Sequence, residues 1–170
     1  MIIQTNQFVG VTPEALYNAY LSSEIHGKMT SKGDVIATYY RVGTGDVATG
    51  EVGDELRAWG IKDQHGNIMY YLHATILQLV PGKLVVMSWK NLGWGLATNA
   101  NLVTDLESTL VLTFKRTVLG AEIQLVHVNV PGYEVHIPDT GETEPLNTIV
   151  STHWGLQYWE PMKKYFGSKK

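Results

Sequence analysis

The sequence predicts an α+β fold, in which a curved antiparallel sheet of about six to seven strands is covered by a long C-terminal helix. From position 35 onward, most of the chain consists of short β-rich segments separated by turn residues. The final stretch, 147–166, instead places Val150, Trp154, Tyr158, Met162 and Tyr165 on one helical face. An amphipathic helix that follows a run of strands is typical of a sheet with one buried face.

The first part of the chain predicts a strand followed by two short helices. The strand is expected at 2–11. Thr12 supplies an N-cap hydroxyl and Pro13 suits the first helical position, so a helix is expected to run to about Leu21. A second short helix is expected at 22–29.

The strands then follow one another with short connections. They are expected at 35–42, 51–61, 68–80, 84–90, 110–117 and 122–130, with loops at 91–105 and 131–145. Successive strands joined by short turns pair antiparallel. The helix at 147–166 is long enough to cover the buried face, and Pro161 is expected to bend it because proline removes one backbone hydrogen bond.

Composition excludes several classes of function. The chain has 170 residues and a net charge of −3, which predicts one domain over 1–170 and no nucleic-acid surface. Absence of cysteine excludes disulfides, thiol nucleophiles and cysteine zinc sites. The six histidines show no metal-ligand spacing, so neither a metal nor a cofactor is expected. No signal peptide or membrane-spanning run is present in the sequence, and a cytoplasmic protein without membrane insertion is expected.

Six short segments, in chain order, carry a resemblance to a known family. They are 13–19 (PEALYNA), 26–30 (HGKMT), 52–56 (VGDEL), 79–83 with 88–90 (LVPGK and SWK), 127–131 (HVNVP), and Trp154 with 158–163 (YWEPMK). Together they resemble the AHSA-type domain of the START-like, or SRPBCC, helix-grip superfamily. This domain forms the C-terminal part of the activators of heat-shock protein 90 ATPase, and it also stands alone in many proteins.

The resemblance implies a helix-grip fold with space for a ligand between the sheet and the C-terminal helix. It does not fix a function, since this fold serves lipid carriers, receptors, cyclases and chaperone regulators. Two features depart from the family pattern. His153 stands where a glycine often precedes the helix tryptophan, and the segment 67–73 is bulky where the family often has glycines. The chaperone activators also carry a separate N-terminal domain, for which these 170 residues are expected to have no room.

The helix and one loop provide the first candidates for a ligand site. Ser151 and Gly155 are small residues among large rings, which indicates either very close packing or room left for a ligand; with Trp154 and Tyr158 they are candidates for a ligand site. Trp94 lies in a glycine-rich loop and is a candidate for a lid or a partner-facing surface. Trp89 and Trp159 are expected to belong to the core.

Strand alternation provides the remaining candidates. If Gln78 points to solvent, then Tyr71 and His73 point toward the helix, unless a bulge intervenes. Ile123 and Leu125 are expected to point inward, so that His127 shares their face. Each histidine is either a polar anchor or general base, or a buried histidine bonded to a backbone or hydroxyl partner.

Three functions are consistent with these candidates. The first is the binding of a small hydrophobic molecule between the sheet and the C-terminal helix. The second is a co-chaperone-like module that binds heat-shock protein 90. The third is a cyclase or hydrolase that uses His73 or His127 as acid–base. A homodimer is compatible with each of these functions.

Overall fold

The protein is described by a computed structural model that covers residues 1–33, 36–92, 105–137 and 140–169. The chain begins with β1 (Ile2–Val9), α1 (Pro13–Tyr20), α2 (Ser23–Met29), β2 (Ile36–Tyr40) and β3 (Glu55–Lys62). It continues with β4 (Ile68–Met69), β5 (Leu72–Val80), β6 (Leu84–Leu92), β7 (Asp105–Arg116) and β8 (Gly120–Val128). It ends with β9 (Glu134–Ile137), β10 (Glu142–Pro145), α3 (Leu146–Trp154), a π-helical turn (Gly155–Trp159) and α4 (Glu160–Gly167).

The described strands form an antiparallel sheet with the order β1-β8-β7-β6-β5-β3-β2, and β4 pairs with β3 beside this path. These seven strands, the two short helices after β1 and the long final helix confirm the predicted α+β helix-grip architecture. One face of the sheet is apolar and packs against the final helix, and residues such as Leu56, Met87 and Leu112 are fully buried there.

Both predicted helix starts are confirmed by their caps. Thr12 Oγ1 accepts a hydrogen bond from the N–H of Ala15 at 3.1 Å, and Ser22 Oγ accepts one from Ile25 at 3.2 Å. Each side chain satisfies a backbone donor that has no partner within the first helical turn.

Three strand predictions were wrong in detail. The strand expected at 68–80 is divided in two, because the chain bends at Tyr70 and Tyr71 between β4 and β5. β7 begins five residues before the expected start at position 110. The loop expected at 131–145 contains the hairpin β9–β10. Its strands are largely exposed, so they lack the apolar alternation that marks a half-buried strand.

The three consecutive segments α3, the π-helical turn and α4 are called the C-terminal helix. Its predicted apolar face is confirmed, since Val150, Trp154, Tyr158 and Met162 are all buried. In the π-helical turn, Tyr158 and its neighbour Trp159 are both buried. The wider turn therefore brings two consecutive aromatic side chains to the packed side.

Pro161 leaves one carbonyl of the C-terminal helix without its usual partner, because proline has no N–H to donate to Gln157. A backbone donor from another element bonds to this carbonyl instead. The N–H of Ser31, just after α2, donates to the carbonyl oxygen of Gln157 at 2.7 Å. The proline thus creates an acceptor that joins the C-terminal helix to the end of α2.

Among the helices that the structure describes, none is both long and apolar enough to cross a membrane.

Candidate functional site

An aromatic cluster lies between the sheet and the C-terminal helix. We define it as Trp59 of β3, Trp89 of β6, and Trp154, Tyr158 and Trp159 of the helix. Ring centroids lie 4.6 Å apart for Trp154 and Tyr158, 5.2 Å for Trp89 and Trp154, and 5.4 Å for Trp154 and Trp159. These separations are typical of favourable aromatic pairs. Trp89 and Trp159 are buried, as expected for core residues.

His127 on β8 lies under this cluster and is buried, as the strand alternation predicted. The indole N–H of Trp154 donates to its Nδ1 at 3.1 Å. Its Nε2 lies 2.6 Å from Ser108 Oγ, and the Ser108 hydroxyl donates to the carbonyl oxygen of Trp89 at 3.1 Å. A continuous chain of hydrogen bonds therefore joins the helix, β8, β7 and β6.

The tautomer of His127 follows from the nature of its partners. An indole nitrogen only donates, so Nδ1 of His127 is the unprotonated nitrogen and Nε2 donates its hydrogen to Ser108. Burial lowers the pKa of His127 to about 4, which keeps the ring neutral at pH 7. Activation of a serine nucleophile requires the opposite direction, with the histidine accepting the hydroxyl hydrogen. The Ser108–His127 contact therefore lends no support to a hydrolase mechanism.

A second buried histidine, His26 on α2, holds the helix from the other side. Its Nδ1 donates to the carbonyl oxygen of Tyr20 at 2.7 Å, and the hydroxyl of Tyr158 donates to its Nε2 at 3.0 Å. Burial lowers the pKa of His26 to about 4, although the bond to the Tyr20 carbonyl opposes this shift. Both helix aromatics, Trp154 and Tyr158, thus donate to neutral imidazoles.

Trp59 occupies an unusual backbone position within β3. Its φ is 54°, in the left-handed region that non-glycine residues rarely adopt. The register between β2 and β3 shifts here, so that Ala58 and Trp59 together stand opposite Ala37. This two-against-one arrangement is a β-bulge, which turns the Trp59 side chain toward the core.

Gly60 allows the chain to pass closely beside the bulge. A Cβ at this position would lie 2.7 Å from Ile68 Cγ2 and 2.9 Å from Tyr70 Cε1. Because such contacts are too short for a real side chain, glycine lets β4 and Tyr70 pack directly against the strand.

Two buried polar atoms beside Tyr158 have no hydrogen-bond partner among the described residues. They are the indole nitrogen of Trp59 and the hydroxyl of Tyr20. The Trp59 ring lies 6.2 Å from the Tyr158 ring and 6.3 Å from Trp89. The Tyr20 ring also lies 6.2 Å from Tyr158. Buried polar groups are nearly always paired in folded proteins, so two unpaired groups around one residue mark this region as the candidate site.

The predicted inward orientation of His73 was wrong. The buried residues of β5 are Leu72, Ala74 and Ile76, so His73 lies on the opposite face of the sheet. There its Nδ1 is 3.6 Å from Glu55 Oε1. Burial lowers its pKa, the nearby Arg57 and Lys90 lower it further, and Glu55 opposes the shift. The cause of the error is a register shift between β5 and β6 just after Ile76, which reverses the alternation deduced from Gln78.

The other predicted site residues are not all brought together. Ser151 faces β1, where Gln4 Nε2 donates to both its Oγ and its carbonyl oxygen at 2.9 Å. A Cβ added to Gly155 would meet no atom within 4 Å. Tyr71 is half-buried at the bend before β5. Trp94 lies outside the described residues.

The sequence analysis did not predict the bulge at Trp59 and did not assign Ser108 or His26 to this site. The Trp59–Gly60 pair was available as a signal, because an isolated glycine within a strand often marks a bulge. Ser108 was missed because β7 was expected to begin at 110. His26 gave no distinctive signal, since its partner Tyr158 is distant in sequence.

Comparison with known proteins shows similarity in structure but not in sequence. No protein-family model matches the chain, and no curated protein is similar to it in sequence. A solved structure described as an HSP90 activator from Plasmodium falciparum aligns with a TM-score of 0.63 and 16% identity, over 98% of this chain and 95% of that one. A protein from Cytophaga hutchinsonii aligns with a TM-score of 0.62 and 16% identity, over 99% and 96%. A protein from Mesorhizobium loti aligns with a TM-score of 0.60 and 15% identity, over 99% and 98%.

The chain has the helix-grip fold. Nearly full coverage of both chains in each alignment confirms, at the level of the fold, the predicted resemblance to START-like, AHSA-type domains. Identities near 15% do not transfer a function.

Proposed function

We propose that the protein binds a small, mostly apolar molecule that carries a hydrogen-bond acceptor. The acceptor is expected to meet the indole N–H of Trp59, with the flat part of the molecule beside Trp89 and Tyr158. The observation that carries the proposal is the combination found at Trp59, where a strained backbone presents a buried donor that has no partner among the described residues.

Both features of Trp59 are costly for the free protein. A left-handed conformation costs a non-glycine residue about 1–2 kcal/mol, and a buried unpaired donor costs about 1–3 kcal/mol. Strained residues of this kind concentrate at ligand-binding and active sites. A ligand acceptor at Trp59 would pair the indole N–H and so remove the second cost on binding. This explains why a tryptophan stands here, since an apolar ring would pack without leaving an unpaired donor.

The surroundings favour a neutral ligand. His26 and His127 both have a pKa of about 4 and are therefore uncharged at pH 7. The cluster itself consists of aromatic rings with polar edges, which suits an apolar body with one or two polar groups. Of the residues predicted from the sequence, Trp154, Tyr158 and His127 form part of the wall of this proposed site.

The test is a fluorescence titration with Prodan, a neutral naphthalene ketone that brightens in apolar surroundings. Trp59→Phe keeps an aromatic ring and removes the donor, so it should weaken Prodan binding roughly fivefold, the effect of losing one neutral hydrogen bond. Trp159→Phe is the matched control, because the Trp159 indole already donates to Gln4 Oε1 at 2.6 Å. Equal affinities of Trp59→Phe and the unmodified protein, or no Prodan binding at all, would contradict the proposal.

A second candidate function is the regulation of a chaperone. It is favoured by the likeness to the Plasmodium falciparum structure described as an HSP90 activator, which extends over nearly the whole of both chains. The expected result is that the purified protein binds heat-shock protein 90 and stimulates its ATPase. Absence of both effects would remove this candidate and leave the ligand proposal untouched.

A further inference from the structure

The two edges of the described sheet differ in how well they are protected against pairing. β2, at one end, has five residues and a register shift between Ile36 and Thr38. Its last residue also makes an isolated bridge to Val47, and Arg41 follows directly. Short length, bulges and nearby charge are the usual devices that keep an edge strand from pairing with another chain.

β1, at the other end, has none of these devices. Its sequence, IIQTNQFV, contains no charged residue and no proline. Its eight residues pair with β8 without a shift, from Ile2 opposite His127 to Val9 opposite Gly120. Because β1 ends the strand order among the described strands, one side of its backbone has no neighbouring strand. A regular, uncharged edge of this length is a template for β-pairing.

The two faces of β1 have different surroundings. On the inner face, Gln4 bonds to Ser151, and Lys163 Nζ donates to Asn6 Oδ1 at 3.0 Å. On the outer face, Ile3 and Val9 are 57% and 54% exposed. The apolar side chains without cover therefore lie near the two ends of one strand, six positions apart.

A groove runs beside the start of β1. It has a volume of about 340 Å³ and lies between residues 1–3 and the helix residues Asn147, Thr148, Ser151 and Thr152. No residue of β8 is among the residues that line it. If a further strand pairs with this edge, the groove has room for the residues that follow that strand.

We propose that β1 pairs antiparallel with β1 of a second copy of this chain. The two-fold axis passes through Asn6, so that Ile3 lies opposite Val9 of the second copy and Thr5 lies opposite Gln7. Both exposed apolar side chains are then covered by each other, on the same face of a continuous sheet. In this register Gly10 and Val11 of the second copy follow into the groove beside residues 1–3.

A second copy fits this edge better than a charged peptide, because the residues of the strand itself carry no charge that would attract a charged peptide or repel the same strand of the second copy. Strand alternation is respected, since residues opposite each other across the axis both have odd numbers or both have even numbers. The interface is isologous, as expected for a two-fold dimer.

The absence of cysteine permits a direct test of the register. In the proposed dimer, residues 3 and 9 of different copies lie opposite each other, whereas the two copies of residue 3 lie roughly 20 Å apart at about 3.4 Å per residue. A mixture of Ile3→Cys and Val9→Cys should form a mixed disulfide dimer under mild oxidation. Each variant alone should remain uncross-linked, and Val118→Cys, fully exposed at the β7–β8 turn, is the control for random collision.

Sedimentation equilibrium provides the second readout. The unmodified protein should show a monomer–dimer equilibrium, and Ile3→Lys should raise its dissociation constant roughly tenfold by placing a charge opposite Val9 of the second copy. Val42→Lys, at a site that is 66% exposed near β2, should leave the constant unchanged. A protein that stays monomeric at every concentration, or single-cysteine variants that cross-link as readily as the mixture, would overturn the proposal.

Discussion

The indole N–H of Trp154 donates to Nδ1 of His127 over 3.1 Å, and this bond fixes which nitrogen of the imidazole carries the hydrogen. Tyr158, one turn later, makes the equivalent bond to His26 on α2. The C-terminal helix is thus held to two different elements by aromatic donors that require neutral histidines. The attachment of the helix therefore depends on the neutral state of both imidazoles as well as on apolar contact.

Stability should therefore fall as the pH falls from about 6.5 to about 4. Burial lowers the pKa of His26 and of His127 to about 4 in the folded state, whereas in the unfolded chain each titrates near its ordinary value of about 6.5. Between these values the unfolded state binds more protons, so acid favours unfolding, and the loss is complete below the folded-state pKa. Each histidine should account for roughly 3 kcal/mol.

The measurement for this prediction is denaturant unfolding at a series of pH values. His127→Gln keeps an acceptor and a donor but cannot gain the proton, so it should remove a large part of the histidine-dependent slope. His26→Gln should remove a comparable part, and the smaller remainder belongs to His73 and His153, whose pKa values burial also lowers. His65→Gln, in an exposed loop, is the matched control. Slopes that are the same in all four proteins would contradict the assignment.

Trp154→Phe should loosen the constraint on His127. The variant removes the donor and leaves Nδ1 unpaired, which costs about 1–3 kcal/mol of unfolding free energy. An unpaired Nδ1 is also able to take up a proton, so the pKa of His127 should rise from about 4. NMR titration of the imidazole carbons measures that pKa. An unchanged value would show that burial alone controls this histidine.

The sequence was sufficient to predict the elements whose signals are local. The cap at Thr12 and the apolar face of the C-terminal helix depend on residues close together in sequence. The orientation of His73 was not predictable in this way, because a bulge after Ile76 reverses the alternation and its cause lies in the pairing with β6. The partners of Trp154 and Tyr158 are likewise set by long-range packing.

Replacing Ser31 with glycine should raise the thermal stability of the protein. Its φ is 50°, a left-handed value, while its N–H supports the carbonyl of Gln157 that Pro161 leaves unpaired. Ser31→Gly keeps this N–H and relieves a strain of about 1 kcal/mol, so thermal unfolding should shift upward. Ser31→Ala keeps the strained Cβ and should show no gain. A lower melting temperature for Ser31→Gly would mean that the serine side chain contributes more than the strain costs.

Two glycine-to-alanine changes should have opposite effects. Gly155 has helical dihedral angles and open space where a Cβ would lie, so Gly155→Ala should stabilise the protein by about 0.5–1 kcal/mol. At Gly60 the Cβ would lie 2.7 Å from Ile68, so Gly60→Ala should destabilise by about 1–3 kcal/mol. Chemical denaturation of both variants measures the difference. Equal effects would contradict the packing described around the Trp59 bulge.

The most direct test of the proposed ligand site is the NMR signal of the Trp59 indole N–H. The protein has five tryptophans, and Trp59→Phe identifies the signal by its loss. On addition of Prodan, this signal should shift downfield, because an unpaired donor gains an acceptor, and the change should be smaller at Trp159, which is already bonded to Gln4. Bound Prodan that leaves the Trp59 signal in place while another indole signal shifts would contradict the proposed site.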